Sequence, residues 1–169
     1  YDLIIVGAGP AGATLARLVG NQYRVLLLEK RPAEESAEVS AAALPARSVK
    51  CCGGLLAPDA QKMLSVFGLG LPAGVLQDPQ IFTVRTIDIQ ARLERFYQRH
   101  YINIDRGKFD RWLLSLIPPA VRIEHAAQFH SFEETPEGLR VTFLKDNKEF
   151  REAARIMVGA DGADSTVRK

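Results

Sequence analysis

The sequence predicts an α/β protein built on a parallel sheet covered on both faces, with a small antiparallel meander attached. Three observations predict it. Leu3-Ile4-Ile5-Val6 is an apolar run that ends in Gly7-Ala8-Gly9-Pro10-Ala11-Gly12 and opens into an alanine- and leucine-rich stretch. Residues 23–28 form a second such run, ending on Glu29. Arg155-Ile156-Met157-Val158-Gly159-Ala160 forms a third, which delivers Asp161-Gly162-Ala163-Asp164-Ser165. Short apolar runs without alternation mark strands buried on both faces.

The first glycine turn has a specific chemistry. Gly7 permits the tight turn out of the strand, Gly9 lets the backbone approach a pyrophosphate, and Gly12 lets the following helix pack close to the sheet. Pro10 and Ala11 stand at the start of that helix, whose amide-rich N-terminus points at the phosphates. Leu15, Leu18 and Val19 have the spacing that buries one helical face. Glu29, twenty residues after Gly9, stands where a carboxylate accepts hydrogen bonds from ribose hydroxyls and repels a 2′-phosphate. Lys30 and Arg31 weaken that repulsion; they serve either a pyrophosphate or only the solvent. The expectation is a dinucleotide site; the alternative is a βαβ turn without a ligand.

Composition narrows the class. The chain has 169 residues, 47% hydrophobic and 25% charged, ordinary for one globular unit or one and a part. A net charge of +2 with no basic run argues against nucleic acid. No apolar stretch is long enough to span a bilayer, so a cytoplasmic or membrane-peripheral location is expected. The cysteines, Cys51 and Cys52, are adjacent; a disulfide between neighbours is strained, so buried or site-lining free thiols are expected, and no metal site. The chain opens on Tyr1 at a strand and stops at Lys169 in what reads as a new helix, which suggests part of a longer protein.

The remaining elements follow in order. Residues 33–46, rich in alanine and glutamate, read as a loop. Pro58 opens a helix to about Phe67, with Met63, Leu64 and Phe67 on a buried face, ended by Gly68, Gly70 and Pro72. Residues 81–89 and 102–104 read as strands; 90–100 fits helix or strand equally. Residues 108–117 read as a helix presenting Phe109, Trp112, Leu113 and Leu116, stopped by Pro118-Pro119. Four short strands, 121–123, 128–133, 139–144 and 150–153, read as the meander, with turns at Pro136-Glu137-Gly138 and Asp146-Asn147.

Three motifs in this order carry a family resemblance. They are Gly7 to Gly12 with Glu29; Ile104-Asp105-Arg106-Gly107-Lys108-Phe109-Asp110-Arg111-Trp112-Leu113; and Gly159-Ala160-Asp161-Gly162-Ala163-Asp164-Ser165-Thr166-Val167-Arg168. Together they resemble the FAD-binding half of the para-hydroxybenzoate hydroxylase superfamily. Lys50-Cys51-Cys52-Gly53-Gly54-Leu55 is most similar to the cysteine-glycine segment of its geranylgeranyl reductase-like members. The resemblance implies a Rossmann-like FAD-binding domain over 1–169 with part of a substrate domain inserted over 72–104.

It also implies roles. Glu29 would hold the adenosine ribose, and backbone groups at Phe129 would grip the adenine. Arg106 would touch the pyrophosphate or ribityl chain; the other reading is an ion pair with Asp110. Asp161 with Gly162 would contact the phosphate and ribityl region; the other reading is a plain turn. Cys52 and Gly53 would approach the flavin ring, or Cys52 is a small buried hydrophobe. His100, His125 and His130 share no spacing and read as structural or exposed. The implied function is an FAD-dependent oxidoreductase in which NAD(P)H-reduced flavin reduces a small apolar substrate of the isoprenoid kind. The alternatives are a flavin monooxygenase acting on a small organic molecule and a non-catalytic dinucleotide-binding fragment.

Overall fold

The computed structural model describes residues 1–33 and 52–168. In chain order the elements are β1 (Leu3–Val6), α1 (Pro10–Val19), β2 (Val25–Leu28), β3 (Leu55–Leu56), α2 (Pro58–Val66), a 3-10 turn (Ala73–Val75), β4 (Thr83–Asp88), β5 (Leu93–Gln98), β6 (Ile102–Asn103) and α3 (Arg106–Ser115). Then come β7 (Arg122–Glu124), β8 (Gln128–Thr135), β9 (Gly138–Lys145), β10 (Lys148–Ala154) and β11 (Ile156–Gly159). They fall into two units, Tyr1–Ser48 with Leu113–Lys169, and Val49–Trp112. The expected 33–46 loop lies, from residue 34 on, outside the described residues, as does Cys51.

The first unit holds a parallel sheet in the order β11-β1-β2-β7, with Leu3 opposite Val25 on one side and Ile156 on the other. Successive side chains of a strand point to opposite faces, and both faces are covered. Ile4, Val6, Leu26 and Leu28 pack against Ala127, Phe129, Val141, Phe143 and Ala154 of the meander side. Ile5, Val25 and Leu27 pack on the other face against Ala8, Ala16 and Val121, joined by Leu15, Val19, Leu114 and Ile117. A fully buried side chain of this size contributes roughly 1.5–3 kcal/mol, whereas an exposed ion pair such as Arg24 with Asp2 is screened by water and adds little. The apolar layers, not the surface charges, hold this unit together.

The meander has three strands, in the order β10-β9-β8, rather than four. The expected 121–123 strand instead became β7, paired parallel to β2 with Leu26 opposite Arg122. A strand that returns after a helix joins the sheet in parallel. The residues after it also break away from a hairpin, since Ala126 has a φ of 53°. The β9–β10 turn is as read: Asp146 and Asn147 both have positive φ, 51° and 58°, the pair of left-handed residues a two-residue hairpin turn requires.

Three expectations about burial needed correction. Leu18 is exposed, because α1 approaches the sheet through Gly12, Ala13 and Ala16 and leaves Leu18 on its flank. No residue of α2 is buried, so Met63, Leu64 and Phe67 do not form a buried face. β11 is an edge strand with Ile156 exposed, not a strand covered on both sides.

In the second unit the undecided 90–100 stretch forms β5, antiparallel to β4 with Arg85 opposite Phe96. The ribbon wins through its turn: the Ala91 amide donates to Asp88 Oδ1 at 2.9 Å, and Arg92 adopts a φ of 53°. Arg85 then pairs with Glu94 across the strands at 2.7 Å. β3 and β6 form a second small antiparallel pair.

Candidate cofactor site

β1, β2 and β11 run parallel, so the loops that leave their carboxyl ends emerge on one rim. Backbone bonds fix that rim: the Gly7 amide donates to Leu28 O at 2.8 Å and the Ala160 amide to Val6 O at 2.7 Å. Gly7 sits at a φ of +102°, and a Cβ there would lie 2.5 Å from Ala160 O and 2.8 Å from Asp161 Cα. The two glycine-bearing loops therefore touch, and only glycine fits between them.

α1 starts at Pro10, and no side chain caps it; Gly9 is the N-cap. Pro10 lacks an amide, and among the described residues no side-chain cap is bonded to the first turn that holds the N–H groups of Ala11 and Gly12. A Cβ on Gly12 would collide with the Gly7 carbonyl oxygen, which shows how closely helix and turn approach. Uncapped amides beside a turn too tight for a side chain are a fit for a pyrophosphate.

Glu29 closes β2 and is 6% exposed. Its Oε2 accepts from the Ala8 amide at 2.9 Å and its Oε1 from the Arg31 amide at 3.0 Å. The Arg31 guanidinium adds Nε to Oε1 at 2.9 Å and Nη2 to Oε2 at 3.2 Å. Burial pushes this carboxyl up, but the bonds from Arg31 and Ala8 outweigh it and hold it below the usual carboxylate range. A carboxyl depressed in the folded state stabilises the fold fully above its unfolded value and loses that contribution as pH falls through the folded value. Acid unfolding of Glu29→Gln, followed by circular dichroism, should accordingly show a shallower loss of stability below about pH 4.5 than the parent. Lys30 is exposed.

Asp161 leaves β11 on the same rim, and its Oδ2 accepts from the amides of Thr166 at 2.6 Å and Val167 at 3.3 Å. Burial raises its carboxyl, and the Ser165 hydroxyl with these amides more than offsets that, so it too stays low. The carboxylate thus shapes its own turn, with Gly162 at a φ of +92° beside it and open space where a Cβ would stand. The Phe129 side chain belongs to the apolar core, and its backbone pairs with Phe143. Sequence reasoning missed the Ala8 amide and Arg31 as partners of Glu29. The signal for Ala8 was its place inside the glycine turn; for Arg31 it was a cation two residues beyond a strand-ending carboxylate.

The second unit has its own polar cluster. Arg106 Nε donates to Asp110 Oδ1 at 2.8 Å, so the expected i,i+4 ion pair forms, and Asp110 is 5% exposed. Arg106 Nη1 also lies 3.7 Å from Cys52 Sγ. Cys52 is exposed, which removes the buried-hydrophobe reading. The Gly54 amide lowers its thiol pKa, burial raises it slightly, and Arg106 lowers it further, for a net fall. Gly53 is exposed beside it, while Gly54, at a φ of +69°, has Ile104 O 2.5 Å from where a Cβ would stand. In a Cys51→Ser background, iodoacetamide should alkylate Cys52 with a pH midpoint below that of an ordinary thiol, and Arg106→Gln should move the midpoint up. Among the described residues no group of His, Cys, Asp and Glu could hold a metal ion. Nor is any described helix long and apolar enough to cross a membrane.

Protein CbrA of Shigella sonnei and of Escherichia coli O157:H7 are each 43% identical over 169 residues, all of this chain and 45% of theirs. The chain therefore spans less than half the length of these relatives. A geranylgeranyl bacteriochlorophyll reductase-like protein of Thermoplasma acidophilum superposes with a TM-score of 0.73 at 20% identity, covering 96% of this chain and 39% of that one. An aklavinone-11 hydroxylase solved with FAD and aklavinone gives 0.68 at 18% identity, over 99% of this chain and 34% of that one. A flavin-dependent brominase gives 0.70 at 20% identity, over 96% and 38%. The fold is thus the one the three motifs led us to expect, shared with flavin-dependent hydroxylases, halogenases and reductase-like proteins. The model of the family described as FAD binding domain matches residues 1–169, the whole chain, and the chain belongs to that family.

Proposed function

We propose that this chain holds FAD on the rim of the parallel sheet and serves an FAD-dependent oxidoreductase. The observation that carries the reading is the buried Glu29 carboxylate, bonded to the Ala8 amide of the glycine turn, which supports a role for Glu29 as acceptor of ribose hydroxyls. The amides of Ala11 and Gly12, with Gly7, Gly9 and Pro10 around them, would hold the pyrophosphate. Glu29 would hold the adenosine ribose, and backbone near Phe129 the adenine. Asp161 would keep the second loop in shape while Gly162 leaves its surface open to the cofactor. For Cys52, Gly53 and Arg106 of the second unit, the family resemblance supports a flavin role. When bound, the isoalloxazine supplies the redox chemistry, and the chain supplies position and electrostatics.

The finer reading is reduction of a small apolar, isoprenoid-like substrate at the expense of NAD(P)H, in a protein of the cytoplasm or the membrane periphery. Its support is the Cys51-Cys52-Gly53-Gly54 segment and the likeness in fold to the geranylgeranyl bacteriochlorophyll reductase-like protein. The second reading, oxygen insertion into a small organic molecule, is favoured by the likeness in fold to the aklavinone-11 hydroxylase. Anaerobic addition of NADH or NADPH to the purified, flavin-loaded protein separates them. Bleaching of the visible flavin absorbance, followed by its recovery on adding an isoprenoid alkene without oxygen, is the expected result. Recovery only on admitting oxygen, with a hydroxylated product, contradicts the reductase reading. A protein that takes up no flavin at all reduces the chain to a non-catalytic module.

A further inference from the structure

Glu29 and Arg31 meet in a way that leaves the carboxylate no room for a further partner. Two carboxylate oxygens offer about four acceptor positions. Here Oε2 takes the Ala8 amide at 2.9 Å and Arg31 Nη2 at 3.2 Å, while Oε1 takes the Arg31 amide at 3.0 Å and Arg31 Nε at 2.9 Å. The backbone donors are fixed by the two loops. The guanidinium donors belong to a side chain that is 33% exposed and lies over a carboxylate side chain that is 7% exposed. Nε and Nη2 stand side by side, one on each oxygen, which is also how the 2′- and 3′-hydroxyls of a ribose meet a carboxylate.

We propose that Arg31 Nε and Nη2 occupy the two positions that a ribose cis-diol takes on Glu29, so that dinucleotide binding is an exchange of two guanidinium donors for two hydroxyl donors. This rests on the reading above, that Glu29 faces the adenosine ribose. Arg31 then helps to set which ribose is admitted. A free diol replaces both lost bonds; a 2′-phosphorylated ribose brings one hydroxyl donor and a charge of the same sign as Glu29, which the displaced Arg31 only partly offsets, and leaves the exchange incomplete. Because Arg31 is partly exposed, its hold on Glu29 is weakened by salt, as for other solvent-accessible pairs.

The test measures FAD association by quenching of flavin fluorescence in the 169-residue chain, in Arg31→Ala and in Arg31→Lys, together with displacement of bound FAD by ADP and by 2′-phospho-ADP. Arg31→Ala should take up FAD about tenfold faster than the parent at low salt. The difference should close near 1 M salt, where screening acts within about 3 Å. Arg31→Lys, which lacks the fork, should fall between, and it carries the expectation alone should Arg31→Ala not fold. ADP should displace FAD from the parent, and 2′-phospho-ADP should not. Slower or unchanged uptake by the variants, or equal displacement by the two nucleotides, overturns the exchange. If neither the parent nor the variants take up FAD, the ribose reading itself fails; if all take it up at one rate, only the exchange fails.

Discussion

Gly12→Ala should destabilise the first unit by about 3 kcal/mol or more and abolish FAD uptake. The added methyl would collide with the Gly7 carbonyl oxygen, a backbone atom that no rotamer change can move. Relief requires α1 to tilt away from β1, which opens the layer in which Ala8 and Ala16 pack on Ile5 and Leu27. Close packing transmits such a shift rather than absorbing it. Gly74→Ala is the matched control, because nothing lies within 4 Å of where its Cβ would stand. Urea unfolding should place the midpoint of Gly74→Ala at or slightly above that of the parent, and that of Gly12→Ala well below it. Equal midpoints for the two variants would mean that the helix does not depend on the close approach seen here.

Glu29→Gln should cost about 100-fold in FAD affinity while the chain stays folded. The amide keeps one oxygen for the Ala8 N–H, so the glycine turn keeps its anchor. It loses the charge that strengthens each bond from a ribose hydroxyl, and it turns an NH2 group toward donors. The Arg31 guanidinium, no longer facing a carboxylate at position 29, is exposed enough for water to reach it, which limits the loss of fold stability to about 1–2 kcal/mol. Equilibrium titration with FAD, set beside a urea curve, separates the two effects. Unchanged affinity would remove Glu29 from the site.

The rim was legible because its signals are local. β1, β2 and β11 are apolar runs with no alternation; β1 delivers the glycine turn, β2 the Glu29 carboxylate and β11 the Asp161-Gly162 turn. The carboxylate of Glu29 could be placed by counting from Gly9. The partner of β7 could not be read the same way, since Arg122-Ile123-Glu124 alternates like a meander strand, and its place in the parallel sheet depends on the helix before it. Leu18 and Met63 fit a helical stripe but stay exposed, because periodicity names a face without saying what covers it. The contact of Arg31 with Glu29 escaped notice for a related reason: it is made by a side chain folding back over its own loop, and no period in the sequence encodes that. Arg106 admitted two readings. The i,i+4 spacing to Asp110 decided the pairing that forms, and the spacing carried no trace of Cys52 nearby.

The central claim is that one FAD molecule lies along the rim formed by the turn at Gly7 to Gly12, the end of β2, and the turn at Asp161. Amide chemical shifts of the labelled 169-residue chain, recorded during titration with FAD, test it most directly. The account predicts saturable shifts that appear together at Ala8, Gly9, Ala11, Gly12, Glu29 and Gly162, all giving one dissociation constant. Shifts confined to other residues, or an unchanged spectrum at saturating FAD, would contradict it.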